Sequence, residues 1–334
     1  MPKLLKHINL RPEYQLSGLD LLSSALPPLL PEDSDRFGGA VSRKRDLYEQ
    51  SLSLEDMEEV VRAKRALWSD SLTGSDKHDQ FGKLIRILSV AANREILSRL
   101  CEVYAKILDL GGRPAEKLLA ALSVSMLTEA EKNISGGPLH RLSFLIWYLS
   151  TLPSCKLSLF ANDFYKTTLS PILLNPAVSE KLALILLKTI SSLLNPSIGV
   201  HPLNEGSDGS LIEQALVDNL PPSATIELIS RDLLSILSEF KSTAASGSCL
   251  FMLASLAKYA MGARHILASH SSGALKPFLT KLSDSVPTNH SPEKKAFLAL
   301  VDLTVSLLAN LRQFAQQGQV ERYFIPKFMM APDL

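Results

Sequence analysis

The sequence predicts an all-α fold, a right-handed α-solenoid of irregular helical repeats, and three observations carry that prediction. The first is composition. Of 334 residues, 63 are leucine, a strong helix former, against 21 aromatic residues (12 Phe, 7 Tyr, 2 Trp), which with the β-branched types mark strands. The second is patterning: from Asp76 onward, apolar helical runs of about 10 to 18 residues alternate with Gly- and Pro-marked breaks, and strands are not needed to account for any segment. The third is recurrence. The runs GKLIRILSVAA from Gly82, LSFLIWYLSTL from Leu142, LALILLKTISSLL from Leu182, LFMLASLAKYA from Leu250 and FLALVDLTVSLLANL from Phe297 each give an apolar helix, a short connector and another helix. A unit of two or three helices cannot bury its apolar faces alone. Stacking supplies neighbours on both sides, which explains a run such as 182–194 that is apolar nearly all round. A closed bundle is the alternative, but bundles favour long helices with a sustained heptad stripe, and short runs with proline-marked corners argue against it.

Taken in order, residues 1–50 are punctuated by Pro12, Pro27, Pro28, Pro31, Gly38 and Gly39 and read as a short helix or two followed by a partly flexible loop of about 20 residues. Arg43, Lys44 and Arg45 in that loop suit a nuclear import signal or a phosphate contact, or a solvated helix start balanced by Asp46 and Glu49. The helical domain is expected over 51–330, with a tail at 331–334. Ser53 can cap a first helix whose Glu55, Asp56, Glu58 and Glu59 favour the positive end of the helix dipole. Its Leu54, Met57, Val60, Val61, Leu67 and Trp68 share one stripe. Later breaks fall at Gly111 and Gly112, Gly136 to Pro138, Pro153, Pro171, Pro176, Pro196, Pro221 and Pro222, Gly247, Gly273, and Pro287 to Pro292. The stretch HPLNEGSDGS at 201–210 reads as an exposed loop. Ser291 is placed to cap a helix with Pro292 at its first position, and Ser223 has the same place after Pro222.

Composition also excludes. With 46% hydrophobic residues, 21% charged and a mean hydropathy of +0.12, the chain must bury most of itself. A net charge of +1 argues against the broad basic surface that gives non-specific nucleic-acid affinity. Cys101, Cys155 and Cys249 form no CxxC pair, suggest neither disulfides nor zinc, and read as small buried hydrophobes. The first residues lack the apolar core of a signal peptide. The longest unbroken apolar stretch, 182–194, contains Lys188 and falls short of the ~20 residues a membrane span needs. A soluble intracellular protein, cytoplasmic and/or nuclear, follows as the expectation, with no membrane partner. No GxGxxG, Walker A, HExxH or GxSxG motif is present, and His265 and His270, five apart, diverge on a helix. The expectation is therefore a protein that is not an enzyme, with no catalytic residues, no cofactor and no metal; both histidines are placed on a connector surface. Residues 1–167 carry 43 charged side chains and 168–334 only 26, so the second half either buries itself more completely or offers an apolar groove to a partner.

Residues 249–282, CLFMLASLAKYAMGARHILASHSSGALKPFLTKL, run helix, Gly262 connector, short helix, Ser-Ser-Gly turn and helix. This order resembles an armadillo repeat, with a fainter echo at 89–108, and the armadillo/HEAT-like resemblance extends over about 80–330; a tetratricopeptide array is disfavoured because no 34-residue period recurs. In peptide-binding armadillo proteins an Asn ladder on the groove helices grips an extended peptide. The matching positions are Ile87, Tyr148, Thr189, Ser255 and Asp302, none of them Asn. This departure from the family's pattern argues against groove binding of an extended basic peptide and leaves groove binding of an apolar or helical segment open. Tyr323, Phe324, Phe328 and Met329, near the end of the sequence, form a second candidate partner-binding cluster or a cap on the stack. The function expected is a scaffold or adaptor holding a segment of another protein, as a peptide or helix in a groove, with the oligomeric state left open. The alternative is a nucleic-acid-associated HEAT-like protein contacting DNA or RNA, which the neutral charge disfavours.

Overall fold

A computed structural model of the chain describes residues 12–27, 80–90, 94–194, 223–239, 242–270, 273, 275–284 and 292–316, and every structural feature below lies within them. These residues form thirteen α-helices and one π-helical turn, with no strand among them. In chain order the first six are α1 (Pro12–Ala25), α2 (Gln80–Val90), α3 (Arg94–Asp109), α4 (Gly112–Asn133), α5 (Gly137–Leu149) and α6 (Pro153–Ala161). The π-turn (Tyr165–Leu169) and α7 (Ser170–Leu173) follow. Then come α8 (Glu180–Leu194), α9 (Ser223–Glu239), α10 (Thr243–Leu256), α11 (Ala260–His270), α12 (Leu275–Asp284) and α13 (Pro292–Gln316). Prolines near the starts of α5, α6 and α7 occupy positions where a missing N–H costs no helical hydrogen bond. The helices divide into two compact units, α1–α6 and the π-turn with α7–α13, where the sequence suggested a single helical domain over 51–330.

In the first unit α3 is central, packing on α1, α2, α4, α5 and α6, and its Leu100, Tyr104, Ile107 and Leu108 are fully buried. A buried polar cluster ties α1 to it across 79 residues of sequence. The Ser23 hydroxyl donates to Glu102 Oε1 (2.5 Å), and Lys106 Nζ donates to the Ser23 carbonyl (2.7 Å) and lies 3.0 Å from Glu102 Oε1. Arg99 bridges outward from Glu102 Oε2 (3.0 Å) to Asp20 Oδ1 (2.8 Å).

In the second unit α8 packs on α10 and α10 on α13, making a row, while α9 packs on α10, α11, α12 and the π-turn. The five recurrent runs are α2, α5, α8, α10 and α13; α2 packs on α5, and α8, α10 and α13 pack in succession, so within each unit the sequence recurrence is a physical stack. Two side chains tie helices of this unit together. Asn310 of α13 donates to the Ala254 carbonyl of α10 (3.0 Å), and Lys281 of α12 donates to the Ser238 and Glu239 carbonyls (3.0 and 2.9 Å), where the α9 dipole is negative. The buried Asp232 carboxylate on α9 accepts from the Tyr165 hydroxyl at the start of the π-turn (2.8 Å).

Several expectations need correction. Gly247 breaks nothing: it lies inside α10, where a Cβ would sit 3.5 Å from Leu300 of α13. Gly262 is not in the connector, which is residues 257–259; it lies in the first turn of α11, where a Cβ would come within 2.2 Å of the Leu256 carbonyl oxygen. Gly273, at φ 78°, does make the turn before α12. Ser223 is the first residue of α9, and its hydroxyl is spent 2.8 Å from His265 Nε2; His265 is thereby half-buried between α11 and α9, its Nδ1 3.9 Å from Glu227, rather than on an open connector. Two helices outrun the expected lengths, α4 at 22 and α13 at 25 residues. Residues 294–315 of α13 are long and apolar enough on average to cross a membrane, which counting unbroken apolar runs did not register; the helix packs on α10 and α11 and carries Asp302 at mid-length. The 53–68 helix, the basic triplet at 43–45 and the 201–210 loop lie outside the described residues.

Candidate functional site

The α8–α10 pair carries an open groove of about 360 Å3. Its geometry begins at Ser242, the N-cap of α10, which accepts from the Ala245 amide (3.4 Å) and whose hydroxyl also bonds Glu180, the first residue of α8, so the two helix starts are pinned together. Down α10, Ala244, Ser248, Phe251 and Ser255 are spaced by 4, 3 and 4 residues and therefore share one outward stripe. The neighbouring Cys249, Leu250, Leu253 and Leu256 are buried. Facing this stripe, α8 contributes Leu187, Lys188 and Ser191.

The stripe is made of small side chains around one large one. Ser248 and Ser255 donate their hydroxyls back to the Ala244 and Phe251 carbonyls (3.0 and 2.8 Å), so neither requires a partner from outside. Phe251 is 57% exposed. Covering the exposed part of such a ring is worth about 1–2 kcal/mol. The groove can therefore seat an apolar side chain against Phe251. Burial pushes the Cys249 thiol, behind the stripe, up to about 12, and the Cys101 thiol of the first unit likewise to about 12, so neither is a thiolate near neutral pH. Burial first, then the adjoining Asp232 carboxylate, raises the Tyr165 hydroxyl far above its ordinary range. Among the described residues no group of three or more His, Cys, Asp or Glu side chains could hold a metal ion.

Of the positions read from the sequence, Ile87 and Thr189 do not line a groove. Ile87 is 4% exposed, and Thr189 is fully buried with its hydroxyl donated to the Ile185 carbonyl (3.0 Å). At these two positions the register borrowed from the family's Asn ladder points into the stack. Ser255 is half-buried and continues the Phe251 stripe, and Asp302 is exposed on α13, outside the groove lining. Tyr148 belongs to the first unit, half-buried on α5 near Phe144 and Trp147, whose rings meet edge to face at 5.3 Å and 77°. Tyr323, Phe324, Phe328 and Met329 lie outside the described residues. The reading missed Phe251 and Lys188. The one signal available was the i, i+4, i+7, i+11 row of three small residues and a phenylalanine in an otherwise apolar helix.

No known family's sequence pattern matches the chain, and no curated protein matches it. Among solved structures the chain is similar to a designed armadillo repeat protein in complex with peptide (KR)4 (14% identity, 90% of this chain and 98% of that chain, TM-score 0.37). It is also similar to a computationally designed armadillo repeat protein for modular peptide recognition (15% identity, 90% and 98%, TM-score 0.36) and to an engineered protein from the Northeast Structural Genomics Consortium (11% identity, 93% and 96%, TM-score 0.39).

Proposed function

We propose that this protein is a non-enzymatic helical-repeat scaffold that holds a segment of another protein along the α8–α10 groove. The observation that carries this reading is Phe251, a large apolar ring more than half exposed on a stripe of small, internally satisfied side chains. Small side chains let a partner backbone approach closely, and an exposed aromatic is the residue type that anchors interfaces, which favours a segment with an apolar anchor residue. An intracellular setting, cytoplasmic or nuclear, belongs to the same reading, supported by three free, buried cysteines.

The test is quantitative affinity capture with the native chain, Phe251→Asp and Phe144→Asp in parallel. Partners lost with Phe251→Asp and kept with Phe144→Asp support the groove. A partner set that is the same for the native chain and Phe251→Asp overturns it, and loss only with Phe144→Asp moves the site to α5.

A further inference from the structure

Ser223, His265 and Glu227 meet on the α9–α11 pair in the order of a nucleophile, a base and an acid. Ser223 opens α9 and Glu227 stands one turn on, so both lie on the side of the helix that meets His265 of α11. The Ser223 hydroxyl oxygen is 2.8 Å from His265 Nε2, and His265 Nδ1 is 3.9 Å from Glu227 Oε2. A carboxylate accepts and does not donate, so the tautomer that suits it carries its proton on Nδ1 and leaves Nε2 to accept from the serine. The second distance exceeds a hydrogen bond; contacts of this kind tighten when a reacting group arrives. α9 packs on α11, and Ile226 and Ile266, next to Glu227 and His265 in sequence, are fully buried, so the backbone that carries the constellation is held while Ser223 itself is exposed. Ser238, Ser248 and Ser255, by contrast, donate to carbonyls of their own helices.

We propose that Ser223 is an activated nucleophile that accepts an acyl group from an activated carboxylic ester or thioester, with His265 as its base and Glu227 as the residue that orients His265. His265 Nε2 takes the hydroxyl proton as the serine oxygen forms a bond to the acyl carbon. The bond from that carbon to the leaving alkoxide or thiolate then breaks, and the proton passes from Nε2 to the leaving group. The products are a Ser223 ester and a free alcohol or thiol, with no change of oxidation state. The backbone N–H groups of Ala224 and Thr225, in the first turn of α9, have no carbonyl within the helix to bond and stand at the positive end of its dipole. The amide that follows a nucleophile is a common donor to the carbonyl oxygen as it gains charge, and Ala224 has that place. The reaction is a single transfer onto the protein, which makes this chain an acceptor. It is separate from the α8–α10 groove and leaves the scaffold reading unchanged.

The experiment treats the full chain with a biotinylated fluorophosphonate, which phosphonylates activated serines, and locates the adduct by peptide mass spectrometry. Ser223 is expected to react at least about 100-fold faster than Ser248 or Ser255, the lower end of what a positioned base contributes. His265→Gln keeps a hydrogen-bonding side chain at the α9–α11 contact but cannot carry the proton, and is expected to lose that advantage. Added imidazole is expected to restore part of the rate to His265→Ala, which a histidine that only packs would not allow. Glu227→Gln is expected to slow labelling in the native background and not in His265→Ala, because Glu227 acts through His265. With p-nitrophenyl acetate the native chain is expected to release nitrophenolate faster than Ser223→Ala and to carry the acetyl group on Ser223. The proposal is overturned by Ser223 labelling no faster than Ser248 and Ser255, by an equal rate in His265→Gln, or by no rescue of His265→Ala with imidazole. Phosphonylation at Ser223 with no nitrophenolate release above that of Ser223→Ala overturns acyl acceptance.

Discussion

At Glu102 burial and its hydrogen-bond partners pull in opposite directions. Burial works to raise its carboxyl, but the Ser23 hydroxyl, the Lys106 ammonium and the Arg99 guanidinium overrule burial and hold it below the ordinary carboxylate value. A carboxyl depressed in the folded state contributes stability that is fully present above its unfolded value, near about 4.3, and is lost as pH falls through the folded value. Urea unfolding of Glu102→Gln as a function of pH is expected to show lower stability at pH 7 and a flatter loss below pH ~4 than the native chain; parallel profiles would contradict the assignment. In the second unit the comparable residue is Tyr165. Phenylalanine in its place removes the 2.8 Å donor from the buried Asp232, and the expected cost is about 1–3 kcal/mol in urea melts at neutral pH.

At the scale of elements, two glycines that look alike in sequence have opposite duties. Alanine at Gly262 would drive a Cβ to 2.2 Å from backbone, which cannot yield as a side-chain tip can, so a loss of about 1–3 kcal/mol or more is expected. Alanine at Gly247 meets only ordinary contact with Leu300 and gains helix propensity, so thermal melts are expected to show no loss and up to about 1 kcal/mol of gain. The sequence read both as breaks because a glycine's local signal is the same whether it ends a helix or lets two elements approach. The helices themselves were legible: all five recurrent apolar runs are helices, and α8, α10 and α13 stack as recurrence implied. Which face of α10 is outward was not legible, since the helix is apolar nearly all round and only its packing on α8, α9, α11 and α13 decides that Phe251 stays outside while Leu250 and Leu253 are buried. Thr189 failed for the same reason on α8.

For the molecule as a whole, the sparse charge of residues 168–334 does not translate into more exposed apolar surface. Among the described residues, Leu21, Val124, Phe144 and Leu157 are exposed in the first half, and Leu174, Phe251, Leu298 and Val305 in the second. What distinguishes the second half is placement: three of its four stand on α10 and α13, two helices of one packed row. In the proposed complex Phe251 is the one large anchor among small side chains, so most of the affinity should rest on it. Phe251→Asp should weaken a bound segment by at least about 2 kcal/mol, roughly 30-fold, while an exposed position leaves the melting temperature nearly unchanged. The most direct measurement is photocrosslinking from benzoylphenylalanine placed at 251 or, in parallel, at 144, followed by mass spectrometry of the captured partner. The account predicts a single adducted segment from position 251, with an apolar residue at the attachment site, and none from position 144. Adducts from 144 alone would contradict it.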